Sequence, residues 1–189
     1  MATNEEYRER IEQYAWGDLL DLWGAINTGD TPSWLAGKAF EYLILRAFQL
    51  EGAYVNYPYH VTVGEVIGSE AKEIAEQIDG FVHTADGLAC LVECKDYREE
   101  KADLEPIAKL RNQLLRRSST VIGVVFSRSG FTEPAALLAR FIAPQTILLW
   151  TGSEVEIALR NRWFCKGLVE KYRVCLAKGV PDYHISREA

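Results

Sequence analysis

The segment 77–95 most constrains what this chain can fold into. Two runs rich in β-branched and long apolar residues, 77–83 and 88–95, flank Ala85–Asp86–Gly87, whose residue types are those of a tight turn. The segment therefore predicts two antiparallel strands joined by a short loop. Three ionisable residues lie within the apolar runs, namely Asp79, Glu93 and Lys95. Charged side chains are rarely buried unless they are paired or bind a metal, so these three are the first candidates for a functional site.

The register of this strand pair decides whether the three charged groups can meet. A three-residue loop, with Gly87 in the left-handed conformation of a G1 bulge, sets Asp79 directly opposite Glu93. Gln77 then lies opposite Lys95. Directly opposed side chains share one face, with β-carbons about 5 Å apart, and Lys95 shares that face because the strand period is two. This register brings the three groups together.

A two-residue turn at Asp86–Gly87 is the alternative. It would set Gly80 opposite Glu93 and turn Asp79 to the other face of the sheet. The sequence alone does not choose between the two turns. We adopt the three-residue loop because it accounts for the charged residues in both apolar runs.

Two carboxylates at this separation repel each other, and a hard divalent cation removes the conflict. Oxygen ligands completed by water suit Mg²⁺ or Mn²⁺. Lys95, one step further along the same face, can then orient the attacking water and offset the charge of a phosphate. The alternative is a salt-bridged cluster on an exposed strand face, because this pattern of charges is short and common.

An aspartate, a strand and then Glu93-x-Lys95 resembles the PD-(D/E)xK nuclease superfamily, and the wider chain resembles its Mrr-type restriction endonuclease branch. The resemblance spans about Trp34 to Leu159. The segments that carry it are Gly37–Glu41, Ile78–Gly80, Val92–Lys95 and Phe126–Thr132, followed by Ala135–Ala136. The chain departs from the family pattern at Ile78, where the family name has proline. Glu93 stands where many Mrr-type proteins carry glutamine.

The resemblance implies a metal-dependent endodeoxyribonuclease that hydrolyses DNA phosphodiester bonds in restriction or anti-phage defence. The implied ligands of Mg²⁺, with Mn²⁺ as a substitute, are Asp79, Glu93 and the backbone carbonyl of Cys94. Lys95 is implied to position the attacking water. Helical periodicity places Glu41 on the apolar side of its helix, where the family has a glutamate that supports the site or binds a second ion. A buried salt bridge is the alternative role for this residue.

Contacts to DNA are expected from side chains around the mouth of the site. The candidates are Arg98, Arg111, Gln113, Arg116 and Arg128. Arg98 lies in a charged loop, and Arg128 lies between a strand and a helix. Arg111 falls within the apolar arc of a helix predicted over 104–117, so we expect it to reach the site or to pair with a carboxylate. The predicted outer face of that helix consists of Lys109, Asn112, Gln113 and Arg116.

The whole chain predicts an α/β fold, with a restriction-endonuclease-like central mixed sheet flanked by helices and extra N- and C-terminal helices. The run Val121–Phe126 is typical of a strand buried on both faces. The expected parts are an N-terminal helical addition (1–30), a nuclease-like core (31–160) and a C-terminal helical tail (161–189). Further expected elements are single helices over Glu5–Ile26 and Thr31–Leu50, a turn over Gly64–Ser69, a helical turn within Glu70–Glu76 and a break at Gly167.

Composition restricts the function classes. The net charge of −6 argues against a nonspecific, high-affinity DNA binder, although not against a nuclease with local basic groups. No apolar run reaches transmembrane length and the N-terminus lacks signal-peptide features, which predicts a cytoplasmic protein without a membrane partner. The four cysteines contain no CxxC pair and are expected to be buried and reduced: Cys90, Cys94, Cys165 and Cys175.

Two other functions fit the same residues. A Holliday-junction resolvase or repair nuclease of the same fold would prefer branched DNA, and a non-catalytic subunit that retained the fold would bind no metal. Because a two-strand cut needs two sites, a homodimer is expected, with the terminal helices as candidate contacts. The chain shows no helix-turn-helix or zinc module, so a helper subunit is a candidate for DNA recognition.

Overall fold

The computed structural model of the protein describes residues 3–188. Its helices are α1 (Asn4–Glu12), α2 (Trp16–Thr28), α3 (Lys38–Leu50), α4 (Val63–Ile67), α5 (Glu105–Leu114), α6 (Glu133–Arg140), α7 (Gly152–Asn161) and α8 (Phe164–Lys178), followed by a short 3-10 helix (Ile185–Glu188). Its strands are β1 (Tyr54–Asn56), β2 (Tyr59–Thr62), β3 (Ile74–Ile78), β4 (Gly80–His83), β5 (Ala89–Lys95), β6 (Val121–Ser127) and β7 (Ile147–Thr151). Within this described part, each helix falls short of the length or the apolar character needed to cross a membrane.

The centre of the fold is a five-stranded sheet with the order β1-β4-β5-β6-β7. β1, β4 and β5 pair antiparallel, whereas β5, β6 and β7 pair parallel. β2 and β3 form a separate antiparallel pair. The predicted α/β fold with a central mixed sheet flanked by helices is therefore confirmed.

Helices cover both faces of the sheet, and the residues of β5 alternate between the two. Cys90 and Cys94 pack in a core with α3, α7 and α8. Leu91 packs on the other face in a core with α5 and α6. Because side chains alternate along a strand, Glu93 lies on the α5 face, opposite to the two cysteines as expected.

The strand pairing confirms the three-residue loop. Gly80 pairs with Val92 and His83 pairs with Ala89. The amide of Thr84 donates to the carbonyl of Leu88 at 2.9 Å, and the loop glycine, Gly87, has φ 85°. Continued by one residue, this register sets the residue before Gly80 opposite the residue after Val92, which are the two acidic residues of the predicted site.

The expectation that Gln77 lies opposite Lys95 is wrong. The predicted strand over 77–83 is divided at Asp79 into β3 and β4, and Gln77 pairs with His60 of β2 instead. The side chain of Asp79 provides the reason, because its carboxylate accepts the amide of Cys94 at 2.9 Å. The backbone amide of Cys94, at the edge of β5, therefore donates to a side chain and not to a neighbouring strand. The residues before Asp79 pair with β2 in the smaller sheet.

Two helix boundaries near the N-terminus also differ from the expectation. The single helix expected over Glu5–Ile26 is two helices, and α2 begins after the amide of Ala15, which donates to Asp18 at 2.8 Å. The helix expected from Thr31 begins at Lys38 instead, after Gly37 at φ 80°. Gly37 adopts this left-handed conformation without steric cost, and the chain turns there from the loop into α3.

Three further expectations were wrong. Residues 74–76, expected within a helical turn, belong to β3, and α4 lies where a turn was expected. Thr62 explains α4, since its hydroxyl accepts the amide of Glu65 at 3.2 Å while the Glu65 carboxylate accepts the Thr62 amide, forming a capping box. The break expected at Gly167 is absent, because α8 runs through this residue.

Gly80 permits the close approach of α3 to the sheet. A β-carbon at this position would lie 2.4 Å from Cδ2 of Leu45 and 2.9 Å from its Cδ1. Leu45 is fully buried, so its side chain would have to shift within the core to admit that atom. The missing side chain therefore sets the distance between α3 and the start of β4.

We predict that Gly80→Ala lowers the free energy of unfolding by about 1–3 kcal/mol, the usual cost of overpacking. Gly24→Ala is the matched control, because Gly24 lies within α2 and a β-carbon there meets nothing within 4 Å. That control should gain about 0.5–1 kcal/mol from helix propensity. Urea denaturation of the three proteins measures both effects, and an equally stable Gly80→Ala protein would contradict the packing argument.

Candidate active site

Asp79 lies at the point where the chain passes from the small sheet to the main one. Its side chain is buried, at 6% exposure, and accepts the amide of Cys94 at 2.9 Å. A residue of an extended strand directs its N–H and C=O to the same side. The carbonyl of Cys94 is therefore directed toward the same edge as the Asp79 carboxylate.

Glu93 is more deeply buried, at 1% exposure, and two lysines contact its carboxylate. Oε1 lies 3.2 Å from Nζ of Lys95, as an ion pair without hydrogen-bond geometry. Oε2 accepts a hydrogen bond from Nζ of Lys109 at 2.6 Å. Burial, together with the charge of Asp79, raises the pKa of Glu93, while Lys109 and Lys95 act in the opposite direction.

Lys109 was not predicted as a site residue, because it was placed on the outer face of its helix. In the structure, Lys109 and Gln113 of α5 and Arg117 in the turn just after it form one stripe that faces the sheets. Gln113 is buried and its Nε2 donates to the carbonyl of Gln77 at 3.0 Å. Arg117 pairs with Glu76 at 2.6 Å. The spacing of four residues between the stripe's members is the sequence signal that would have found it.

Arg111 was expected to reach the site or to pair with a carboxylate, and the structure places it on the exposed side of α5. The helix is rotated relative to the expectation. Its buried residues are Pro106, Ile107, Leu110, Gln113 and Leu114, whereas Leu104 and Leu115 are exposed. Arg111 therefore lies opposite the stripe that faces the sheets.

Glu41 lies in the first turn of α3 and contacts Nζ of Lys38 at 2.5 Å. Burial and the charge of Asp79 raise the pKa of Glu41 to about 7, against the opposing effect of Lys38. Glu93 contributes to the same rise. The three carboxylates are thus close enough to influence one another, and the salt bridge that we considered for Glu41 is formed with a lysine.

Lys95 keeps its proton in this surrounding. Burial is the largest single effect and lowers its pKa, but the contact with Glu93 and the charges of Tyr97 and Asp79 together outweigh it, so the pKa of Lys95 rises above its ordinary value. The group is therefore an ammonium at neutral pH. Its side chain is 20% exposed, which leaves it accessible from solvent.

The remaining DNA-contact candidates lie outside this cluster of charges. Arg98 is exposed and its guanidinium lies against Gly29. Arg116 forms an ion pair with Glu76, and Arg128 forms one with Asp96. Among the described residues, no group of three or more His, Cys, Asp or Glu side chains is arranged to hold a metal ion.

The electrostatics of Glu41 predict how stability depends on pH. Its pKa rises from 4.5 to about 7 on folding, so the native state binds more protons between these values and loses stability as the pH increases through them. Glu41→Gln removes this penalty. At about 1.4 kcal/mol per pKa unit, the variant should exceed the unsubstituted protein by roughly 2–3 kcal/mol at pH 8 and by little at pH 5.

Chemical denaturation at both pH values measures this difference. Glu99→Gln, a change in an exposed loop, is the control and should follow the unsubstituted protein. A larger stability gain from Glu41→Gln at pH 5 than at pH 8 would disprove the assigned cause.

A family comparison covers the region that contains these residues. The family model Mrr_cat, described as restriction endonuclease, matches residues 34–158, which is about two thirds of the chain. The match has nearly the limits of the resemblance found in the sequence and includes Glu41, Asp79, Glu93 and Lys95. No curated protein and no solved structure matches the chain significantly. By the family match, the chain belongs to the Mrr-type restriction endonuclease family and contains a restriction-endonuclease-like nuclease domain.

Proposed function

We propose that this protein is a divalent-metal-dependent endodeoxyribonuclease that hydrolyses DNA phosphodiester bonds at Asp79, Glu93 and Lys95. One observation carries the proposal. Two buried carboxylates lie next to the paired residues Gly80 and Val92, one on Asp79 just before β4 and one on Glu93 of β5, and the lysine two positions along β5 contacts the second at 3.2 Å. Burial of this set is expensive, so a structure that served packing alone would gain from apolar residues here.

The donor atoms fit a hard cation. Oε1 of Glu93 is buried and accepts no hydrogen bond from the described residues. The Asp79 carboxylate and the carbonyl of Cys94 are directed toward the same edge, and both are oxygen donors. We propose that these three groups, with water, bind Mg²⁺ or Mn²⁺. Glu41 is proposed to support this site or to bind a second ion. A bound ion would supply positive charge against the phosphate and acidify a water.

Lys95 and Glu93 are proposed to have separate roles in the reaction. Lys95, as an ammonium, can donate a hydrogen bond to the attacking water and place positive charge beside the phosphate as negative charge develops. It does not serve as the base, because its raised pKa keeps it protonated. The deep burial of Glu93 lowers the local dielectric constant around its charged contacts, which strengthens these interactions.

Restriction or anti-phage defence is the proposed biological role, with the residues 31–160 as the catalytic core. We also propose that two copies act together through the terminal additions, 1–30 and 161–189, because cutting both strands needs two sites. A helper subunit is proposed to recognise the DNA. Arg98, Arg111, Arg116 and Arg128 remain candidate phosphate contacts.

Plasmid nicking tests the activity. The purified protein should nick supercoiled plasmid in Mg²⁺ or Mn²⁺ and lose this activity in EDTA. Asp79→Ala and Lys95→Ala should each reduce the rate at least about 100-fold, as expected when a charge that stabilises the transition state is removed. Lys72→Ala, in the exposed loop before β3, is the matched lysine control and should cleave normally. Cleavage that survives in either active-site variant would contradict the assigned roles.

Metal titration separates this enzyme from a non-catalytic subunit. The pairing of Glu93 with two lysines is what a subunit that had lost catalysis would also show. We predict that isothermal titration detects Mn²⁺ binding to the unsubstituted protein and that Asp79→Ala abolishes it. If neither protein binds Mn²⁺ while both are folded, the non-catalytic function is the correct one.

A further inference from the structure

Lys109 makes the closest side-chain contact to the Glu93 carboxylate. Its Nζ lies 2.6 Å from Oε2, whereas Nζ of Lys95 lies 3.2 Å from Oε1. Both oxygens of a nearly inaccessible carboxylate are therefore engaged by ammonium groups. A cation that binds Glu93 through Oε2 must therefore compete with the ammonium group of Lys109 for that oxygen.

The two lysines differ in how easily they can leave. Lys109 is 35% exposed at its side chain, compared with 20% for Lys95. Lys95 stands on the same strand as Glu93, two residues away, so its backbone holds it beside the carboxylate. Lys109 reaches across from α5 through a flexible four-carbon stem, and a change of rotamer moves its charge toward solvent. Lys109 is therefore the ammonium that can be displaced.

A displaced Lys109 needs another anion. Among the salt bridges of the described residues, its carboxylate partner is Glu93. The next members of its stripe are already engaged, Gln113 with a backbone carbonyl and Arg117 with Glu76. A DNA phosphate at the proposed site would lie beside the same carboxylate and within reach of the same stem.

We propose that Lys109 is an exchangeable ammonium: a divalent cation displaces it from Glu93, and the freed side chain binds the backbone phosphate of the DNA at the site. This inference rests on the proposed function and assigns to Lys109 a role distinct from that of Lys95. Lys109 thereby couples metal binding to substrate binding. The cation takes the place of its ammonium at Glu93, and the same ammonium then becomes available to the phosphate.

Lys109→Met tests the competition, since it removes the charge and keeps most of the stem. Isothermal titration with Mn²⁺ at pH 8, without DNA, should give a dissociation constant about tenfold lower for this variant, because a competing positive charge is absent. Lys109→Arg retains the charge and should bind Mn²⁺ no more tightly than the unsubstituted protein. Lys72→Met, in the exposed loop before β3, is the control for loss of a lysine charge elsewhere. Thermal denaturation verifies that each variant is folded.

The second half of the proposal is tested with DNA. Fluorescence anisotropy with a short duplex in Ca²⁺, used as a non-cleaving substitute ion, should show several-fold weaker DNA binding by Lys109→Met. In EDTA the same variant should bind DNA as the unsubstituted protein does, because Lys109 then stays on Glu93. Lys109→Arg should retain the gain in affinity that Ca²⁺ produces.

The outcomes separate this inference from the proposed function. Mn²⁺ binding that is lost in Asp79→Ala but unchanged or weakened in Lys109→Met supports the metal site and overturns the exchange. Mn²⁺ binding by Lys109→Met but not by the unsubstituted protein overturns the exchange, because it shows that the cation does not displace Lys109 from Glu93. Absence of Mn²⁺ binding in both overturns the metal site and the exchange together.

Discussion

Burial of three carboxylates near one point is the constraint on which the rest of the structure depends. Each of the groups, on Glu41, Asp79 and Glu93, needs compensation once it has left water. The chain provides a backbone amide for Asp79 and ammonium groups for the other two. Lysines are compact charges on flexible stems, unlike the planar fork of arginine. The compensation is therefore of a kind that can be rearranged when a ligand arrives.

The position of the carboxylates follows from a change of sheet at Asp79. β3 pairs with β2, and β4 pairs with β1 and β5. At such a junction one residue has neither sheet's full set of backbone partners, and here its side chain takes an amide of β5 instead. A polar residue at this point is thus satisfied locally by one of its oxygens. Close approach of α3 at Gly80 then brings Glu41 to the same place.

Local chemistry made part of this arrangement predictable. The residue types of the loop before Leu88 allowed two registers, and the charged residues in both apolar runs favoured the one that sets Asp79 opposite Glu93. The alternation of Cys90, Glu93 and Cys94 between two faces followed from the strand period alone. Helical periodicity showed only that Glu41 lies on an apolar face, where a carboxylate is unusual. The family resemblance then identified it as a candidate residue of the site.

The orientation of α5 could not be predicted in the same way. Its apolar residues form two overlapping arcs, one with Ile107, Leu110 and Leu114 and one that includes the exposed Leu104 and Leu115. The polar partners that select the first arc lie far away in sequence, 16 residues for Glu93 and 41 for Glu76. The periodicity of a helix carries no information about such distant partners, so Lys109 was predicted to lie on the solvent-exposed face. The division of the strand at Asp79 was missed for a similar reason, because the competing partner, β2, is formed elsewhere.

The stripe on α5 has a mechanical consequence. Lys109 and Gln113 lie on α5 and Arg117 lies in the turn after it, yet the first contacts the main sheet and the other two contact β3 of the small one. The small sheet and α4 carry an outward apolar surface formed by Val66, Ile67 and Ile74. α5 and the turn that follows it thus link the sheet that carries this surface to the Glu93 carboxylate through side chains outside the nuclease motif.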